Sequence, residues 1–108
     1  MRLVFRPEAE GDLADIYDHI AEDSPARAGR FVALLRRKCD PLRQHPQMGR
    51  ARDDLRPGLR GLPVERYLVI YRVLEGAVEI VNVVHGSRDI EAVLGVPGRA
   101  IDDQEDAT

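Results

Sequence analysis

Residues 57–90, PGLRGLPVERYLVIYRVLEGAVEIVNVVHGSRDI, spell a three-strand meander with more apolar surface than one covering layer needs. From Tyr67 onward, Tyr67, Val69, Tyr71 and Val73 fall on one face of a strand, and Leu68, Ile70 and Leu74 on the other, interrupted by Arg72. The next strand repeats this, with Val78, Ile80, Asn82 and Val84 on one side and Glu79, Val81, Val83 and His85 on the other. An antiparallel sheet that is wet on one side alternates apolar with polar residues. Here both faces are apolar, and the rest of the chain offers little more than two helices. The expectation is that another polypeptide covers the second face; the alternative is burial by the chain's own terminal segments.

The chain has 108 residues, enough for a single domain with its own core. Residues 1–96 are expected to form that domain. Residues 97–108, PGRAIDDQEDAT, read as an acidic, disordered tail, because they lack periodic apolar positions. The N-terminus MRLVFRPEAE has no apolar stretch of signal-peptide length, and no run approaches a membrane span, so a cytoplasmic protein is expected. The one cysteine, Cys39, has no disulfide partner and no zinc-site spacing around it, and reads as a small buried hydrophobe. The net charge of −3 conceals a basic middle: residues 27–72 hold twelve Lys and Arg against four acids, between acidic flanks. That region suits an acidic partner segment and a nucleic acid equally.

Leu3, Val4 and Phe5 form a short first strand, and Pro7 suits the first position of a helix. The stripe Ala9, Leu13, Ile16, Tyr17 and Ile20 marks that helix, with Glu8, Glu10, Asp12, Asp15 and Asp18 on the opposite face. Ser24 and Pro25 open a second helix with the stripe Ala28, Phe31, Val32, Leu35, Cys39 and Leu42, although Pro41 should kink it or end it early. The stretch QHPQMGRARDDLRPG is a loop, Glu75 to Ala77 turn a hairpin, and a short helix from Asp89 to Leu94 closes the domain. The fold class is therefore α+β, in the order strand, helix, helix, strand, strand, strand, short helix. A helical hairpin packs on a mainly antiparallel four-stranded sheet.

That order, with AEGDLADIYDHIAEDSP, FVALLRRKC, HPQMGR, PGLRGLPVERYLVIYRV and VEIVNVVHGSRDI, resembles the ParE branch of the ParE/RelE superfamily of bacterial type II toxins. The resemblance implies a toxin neutralised by a cognate antitoxin, ParD-like or of another family, whose partly disordered segment wraps it. Leu68, Ile70 and Leu74 are the apolar face such a segment would cover. DNA gyrase is the implied target. No cofactor, metal or membrane is implied, and nucleic acid is reached only through the antitoxin or the target.

RNA-cutting relatives of the RelE type are the competing reading. Cleavage through a 2′-hydroxyl needs a base, an acid and cations for the phosphate. Where those relatives carry lysines this chain has Leu59 and Gly61, and no aromatic residue follows Tyr71 to stack a base. No catalytic residue is therefore expected. Under the RNase alternative His85 would act with nearby arginines; its plainer reading is a local hydrogen bond at a strand end. Arg60, Arg66, Arg72, His85 and Arg88 are the expected surface for a target or partner, joined by Arg50, Arg52 and Arg56 of the loop. Arg72 has a structural reading too, paired with an acid such as Glu79 on the neighbouring strand. A third possibility is a non-toxic relative retained as an antitoxin partner or co-repressor.

Overall fold

A computed structural model describes residues 1–86. The chain runs β1 (Arg2–Phe5), α1 (Pro7–Ala21), α2 (Pro25–Cys39), a 3-10 turn (Asp40–Arg43), β2 (Arg50–Ala51), β3 (Leu59–Val64), β4 (Tyr67–Leu74) and β5 (Ala77–His85). The strands form one sheet in the order β1-β5-β4-β3-β2, with β1 parallel to β5 and every other pair antiparallel. The helical hairpin on a mainly antiparallel sheet is as expected, but the sheet has five strands, not four. The extra one, β2, lies inside the segment read as a loop, and two residues are too few to show a period of two. The short C-terminal helix, Arg88 and the tail lie outside the described residues.

The helices follow their local signals. Pro7 and Pro25 occupy first-turn positions, where no N–H is missed, and Ser24 Oγ accepts from the backbone N–H of Arg27 at 3.2 Å. Pro41 does end the second helix early: α2 stops at Cys39, and the chain tightens into the 3-10 turn. Arg36 bridges the hairpin. Its guanidinium pairs with Glu10 at 2.7 Å and lies 5.0 Å from the centre of the Phe5 ring. The hydrogen bond from Arg36 lowers the Glu10 carboxyl pKa.

Between the helices and the sheet lies the main core, built from Leu13, Ile16, Leu35, Cys39 and Leu42 against Val69, Tyr71, Val78, Ile80 and Val83. Burial pushes the Cys39 thiol up to about 11, so it stays protonated and unreactive at neutral pH. Val83 was expected on the opposite face. A β-bulge moves it: Ile70 pairs with Asn82 and Tyr71 with Ile80, which leaves Val81 without a partner and reverses the alternation beyond it.

Asp12 secures the bulge. Its Oδ2 accepts the Val83 N–H at 2.8 Å and the Asn82 side-chain amide at 3.0 Å, so this residue of the supposedly solvated acidic face is half-buried and clamps α1 to β5. Asp12→Ala leaves the backbone N–H of buried Val83 without an acceptor and should cost about 1–3 kcal/mol in urea unfolding. Asp12→Asn, which keeps an acceptor oxygen, should cost less. Equal stability of the alanine variant and the parent would show that the clamp contributes nothing.

The second face of the sheet has a small core of its own. Leu55, Leu59, Ile70 and Val84 are buried together, with Leu68 and Val81 half-buried beside them. This corrects the expectation for Ile70, which is 0% exposed and already covered inside its own chain. The cover comes from the loop before β3, which folds Leu55 back over the sheet. Leu74 (39% exposed) and Val4 (37% exposed) remain open to solvent.

Candidate functional site

At one end of the sheet, β3 and β4 are joined by the two-residue turn Glu65–Arg66 between the paired residues Val64 and Tyr67. Glu65 has a φ of 56°, a left-handed conformation that favours glycine, so this turn carries strain. The turn is fastened to the end of β5, where the Gly86 N–H donates to the Arg66 carbonyl at 2.8 Å.

The strand register then places Tyr67 opposite His85. Their rings meet edge to face, 5.2 Å between centroids, and Phe31 of α2 lies on the other flank of Tyr67 at 5.5 Å. Three rings from three elements thus form a row. Together with His19 and Ile20 from the end of α1, Arg27 from the start of α2, and the turn residues Glu65 and Arg66, this row lines a cleft of about 490 Å³.

Five arginines outside the cleft are held by neighbouring acids. Arg6 is paired with Glu8 at 3.2 Å, Arg36 with Glu10 at 2.7 Å, Arg43 with Asp40 at 3.3 Å, Arg52 with Asp54 at 3.0 Å and Arg72 with Glu79 at 2.6 Å. Among the described residues, the side chains of Arg27 and Arg66 have no such partner. A second cleft of about 280 Å³ opens at the other end of the sheet, but Arg6 and Arg72, which line it, share Glu79.

The structure brings Arg66 and His85 together in the first cleft and separates them from Arg60 and Arg72. Arg72 lies six residues along β4 from Arg66, about 20 Å at strand rise, and is tied to Glu79 as its structural reading anticipated. Arg60 sits opposite Tyr71 and donates to the Gly49 carbonyl at 2.7 Å, which makes it part of a loop clasp rather than of an arginine patch. Arg60, Arg66 and Arg72 therefore do not share one patch. Phe31 and Tyr67 read in the sequence as core positions, and Arg27 and Glu65 carry no local pattern that marks them. The two-residue turn was the available signal.

Leu59 is buried in the second-face core. At Gly61 a Cβ would lie 3.0 Å from Leu68 Cδ1 and 3.4 Å from Arg52 Cγ, so a larger side chain would press on both. Among the described residues no group of His, Cys, Asp and Glu could hold a metal ion, and no helix is long and apolar enough to cross a membrane.

Residues 3–90 match the family model for the ParE toxin of the type II toxin-antitoxin system parDE. The chain is similar to Toxin ParE1 of Mycobacterium tuberculosis (strain H37Rv), 30% identical over 95 residues that span 86% of this chain and 97% of that one. It is also similar to Toxin ParE3 of Caulobacter vibrioides, 30% identical over 99 residues, spanning 87% and 95%. A solved structure described as the chromosomal ParDE TA system from P. aeruginosa superposes with a TM-score of 0.70 at 28% identity, covering 79% of this chain and 95% of that one. The strand and helix order, the words that carry it and these matches agree: the chain belongs to the ParE toxin family of type II toxin-antitoxin systems.

Proposed function

We propose that this toxin acts in the cytoplasm by binding and inhibiting DNA gyrase, without catalytic residues of its own, and is neutralised by a cognate antitoxin. Family membership supports the target. The observation that carries the non-catalytic part is the occupancy of positions 59 and 61, where RNA-cutting relatives place lysines: a buried leucine and a glycine whose Cβ would crowd Leu68. General acid–base chemistry on a 2′-hydroxyl needs a positioned proton acceptor and phosphate cations, and neither residue offers one. Apolar positions on the second face, Leu74 and Val4 open to solvent near one end of β4 and Leu68 half-buried near the other, give an antitoxin segment places to bury side chains.

Purified full-length toxin, added in molar excess to gyrase and relaxed plasmid, should reduce supercoiling at least severalfold, and pre-incubation with the adjacent antitoxin should restore it. A parallel reaction with ribosomes and mRNA should leave the message intact. Undiminished supercoiling together with cleaved mRNA would replace this reading with the nuclease one, and His85→Ala would then be the first variant to test. Unimpaired growth on expression without the antitoxin would favour a non-toxic partner instead.

A further inference from the structure

Arg27 and Arg66, whose side chains have no internal ion pair among the described residues, line the same cleft as the three rings, and we propose that this cleft binds a mononucleotide, with the base stacked on one of the rings and the phosphate held by the two arginines. Its volume of about 490 Å³ lies within the range of sites for small molecules. A planar guanidinium recognises phosphate through paired N–H donors, and a guanidinium without an internal carboxylate has those donors to spare. Five other arginines spend theirs on neighbouring acids. Phe31, Tyr67 and His85 lie in a row at 5.5 and 5.2 Å, half-buried and inclined to one another by 51° and 79°, so that a base stacked on the face of one ring meets the next at an angle.

Glu65 sharpens the ligand. A carboxylate beside a bound phosphate would oppose it, whereas the same group accepts hydrogen bonds from an exocyclic base amine. The preferred base is therefore one with an amino group, adenine over uracil. The left-handed backbone at Glu65 fits this role, because strained residues persist where the surrounding structure holds them for function, and here the strain fixes the turn that carries Arg66. The hydroxyl of Tyr67, which makes no hydrogen bond among the described residues, adds a polar group for the ribose.

The test is calorimetric titration of the full-length chain with adenosine 5′-monophosphate, adenosine, inorganic phosphate and uridine 5′-monophosphate. The adenine nucleotide should bind saturably at one site, with adenosine and phosphate each about tenfold weaker or more, and the uridine nucleotide severalfold weaker. Arg27→Gln and Arg66→Gln, both at exposed positions, should each weaken binding by about tenfold, and Tyr67→Leu should do the same if it folds. NMR shifts on nucleotide addition should fall on the rings of Phe31, Tyr67 and His85. Binding of phosphate as tight as that of the nucleotide, an Arg27→Gln/Arg66→Gln double variant with unchanged affinity, or no saturable binding overturns the proposal. So does a single-stranded oligonucleotide that binds where the mononucleotide does not. Since the readout is binding, the outcome is independent of whether gyrase is the target.

Discussion

Gly49→Ala should lower the unfolding free energy by about 2–4 kcal/mol. A Cβ at this position would lie 2.6 Å from both Cε1 and Oη of Tyr71 and 2.9 Å from the Gly61 carbonyl oxygen, far inside contact distance. Tyr71 has nowhere to go. It is wholly buried in the main core, and its hydroxyl donates to the Pro46 carbonyl at 2.7 Å while accepting the Gly49 N–H at 2.8 Å. If Gly49 moves instead, that bond is lost, and so is the 2.7 Å bond from Arg60 to its carbonyl. Overpacking and unsatisfied buried polar groups are therefore alternatives between which the variant has to choose, and each is costly.

Tyr71→Phe separates the two effects, because it removes the hydroxyl without adding bulk and leaves the Gly49 N–H and the Pro46 carbonyl to find water; about 1–3 kcal/mol is expected. Urea unfolding of both variants, with amide exchange at Gly49, measures the clasp. An alanine variant within experimental error of the parent would mean that the loop yields freely and that the clasp holds nothing. The clasp also has a pH limit. Burial, the largest cause, raises the Tyr71 phenol above its ordinary value of 10.0. The folded state thus holds this proton more tightly than the unfolded chain. Its contribution is complete below pH 10 and is lost as pH rises through the folded-state value.

The parts of the fold that were legible in the sequence are those written in short periods. The stripes of α1 and α2, Ser24 before Pro25, the stop at Pro41 and the alternation from Tyr67 to Leu74 are local patterns, and each is found in place. The hairpin turn expected at Glu75 to Ala77 is found one residue shorter, at Glu75 and Gly76, with Gly76 at a φ of 76° and Ala77 already in β5. What escaped depends on distant partners. The bulge at Val81 sits in the run Ile80-Val81-Asn82-Val83-Val84, where an inserted residue leaves no polar mark, so the faces of Val83 and Val84 could not be assigned by counting. Asp12 stands among four other acids of α1 and differs from them only in what β5 brings to it. Gly49 and Tyr71 are 22 residues apart. The arginines misled for a geometric reason: closeness in sequence along a strand is distance in space, whereas the pairing of Tyr67 with His85 joins residues 18 positions apart.

Leu55→Ala is the second large effect, expected at about 2–4 kcal/mol, and it bears on what covers the second face of the sheet. Leu55 is 2% exposed although it belongs to a loop. The loop is shaped to deliver it: the Leu55 N–H donates to the Arg52 carbonyl at 2.9 Å, Arg52 pairs with Asp54 at 3.0 Å, and the Gly58 N–H donates to Asp53 Oδ1 at 2.9 Å. Truncation to alanine removes the side chain that closes over Ile70 while leaving these bonds intact, so the loop has no reason to collapse into the space. Water then reaches Ile70 and Leu59, and with Leu68 and Val81 they form a contiguous apolar surface of the kind that drives self-association. The variant should therefore both unfold at lower urea and sediment as larger species at concentrations where the parent does not. Leu74→Ala, at a position already 39% exposed, should change stability by about 0.5 kcal/mol or less. If Leu55→Ala matched Leu74→Ala in both measurements, the loop would be no cover at all, and the whole second face would be open for a partner. The expected contrast instead divides that face: Leu55 seals the Ile70 side within the chain, and Leu74 and Val4, both open to solvent, are what remains for a partner to cover.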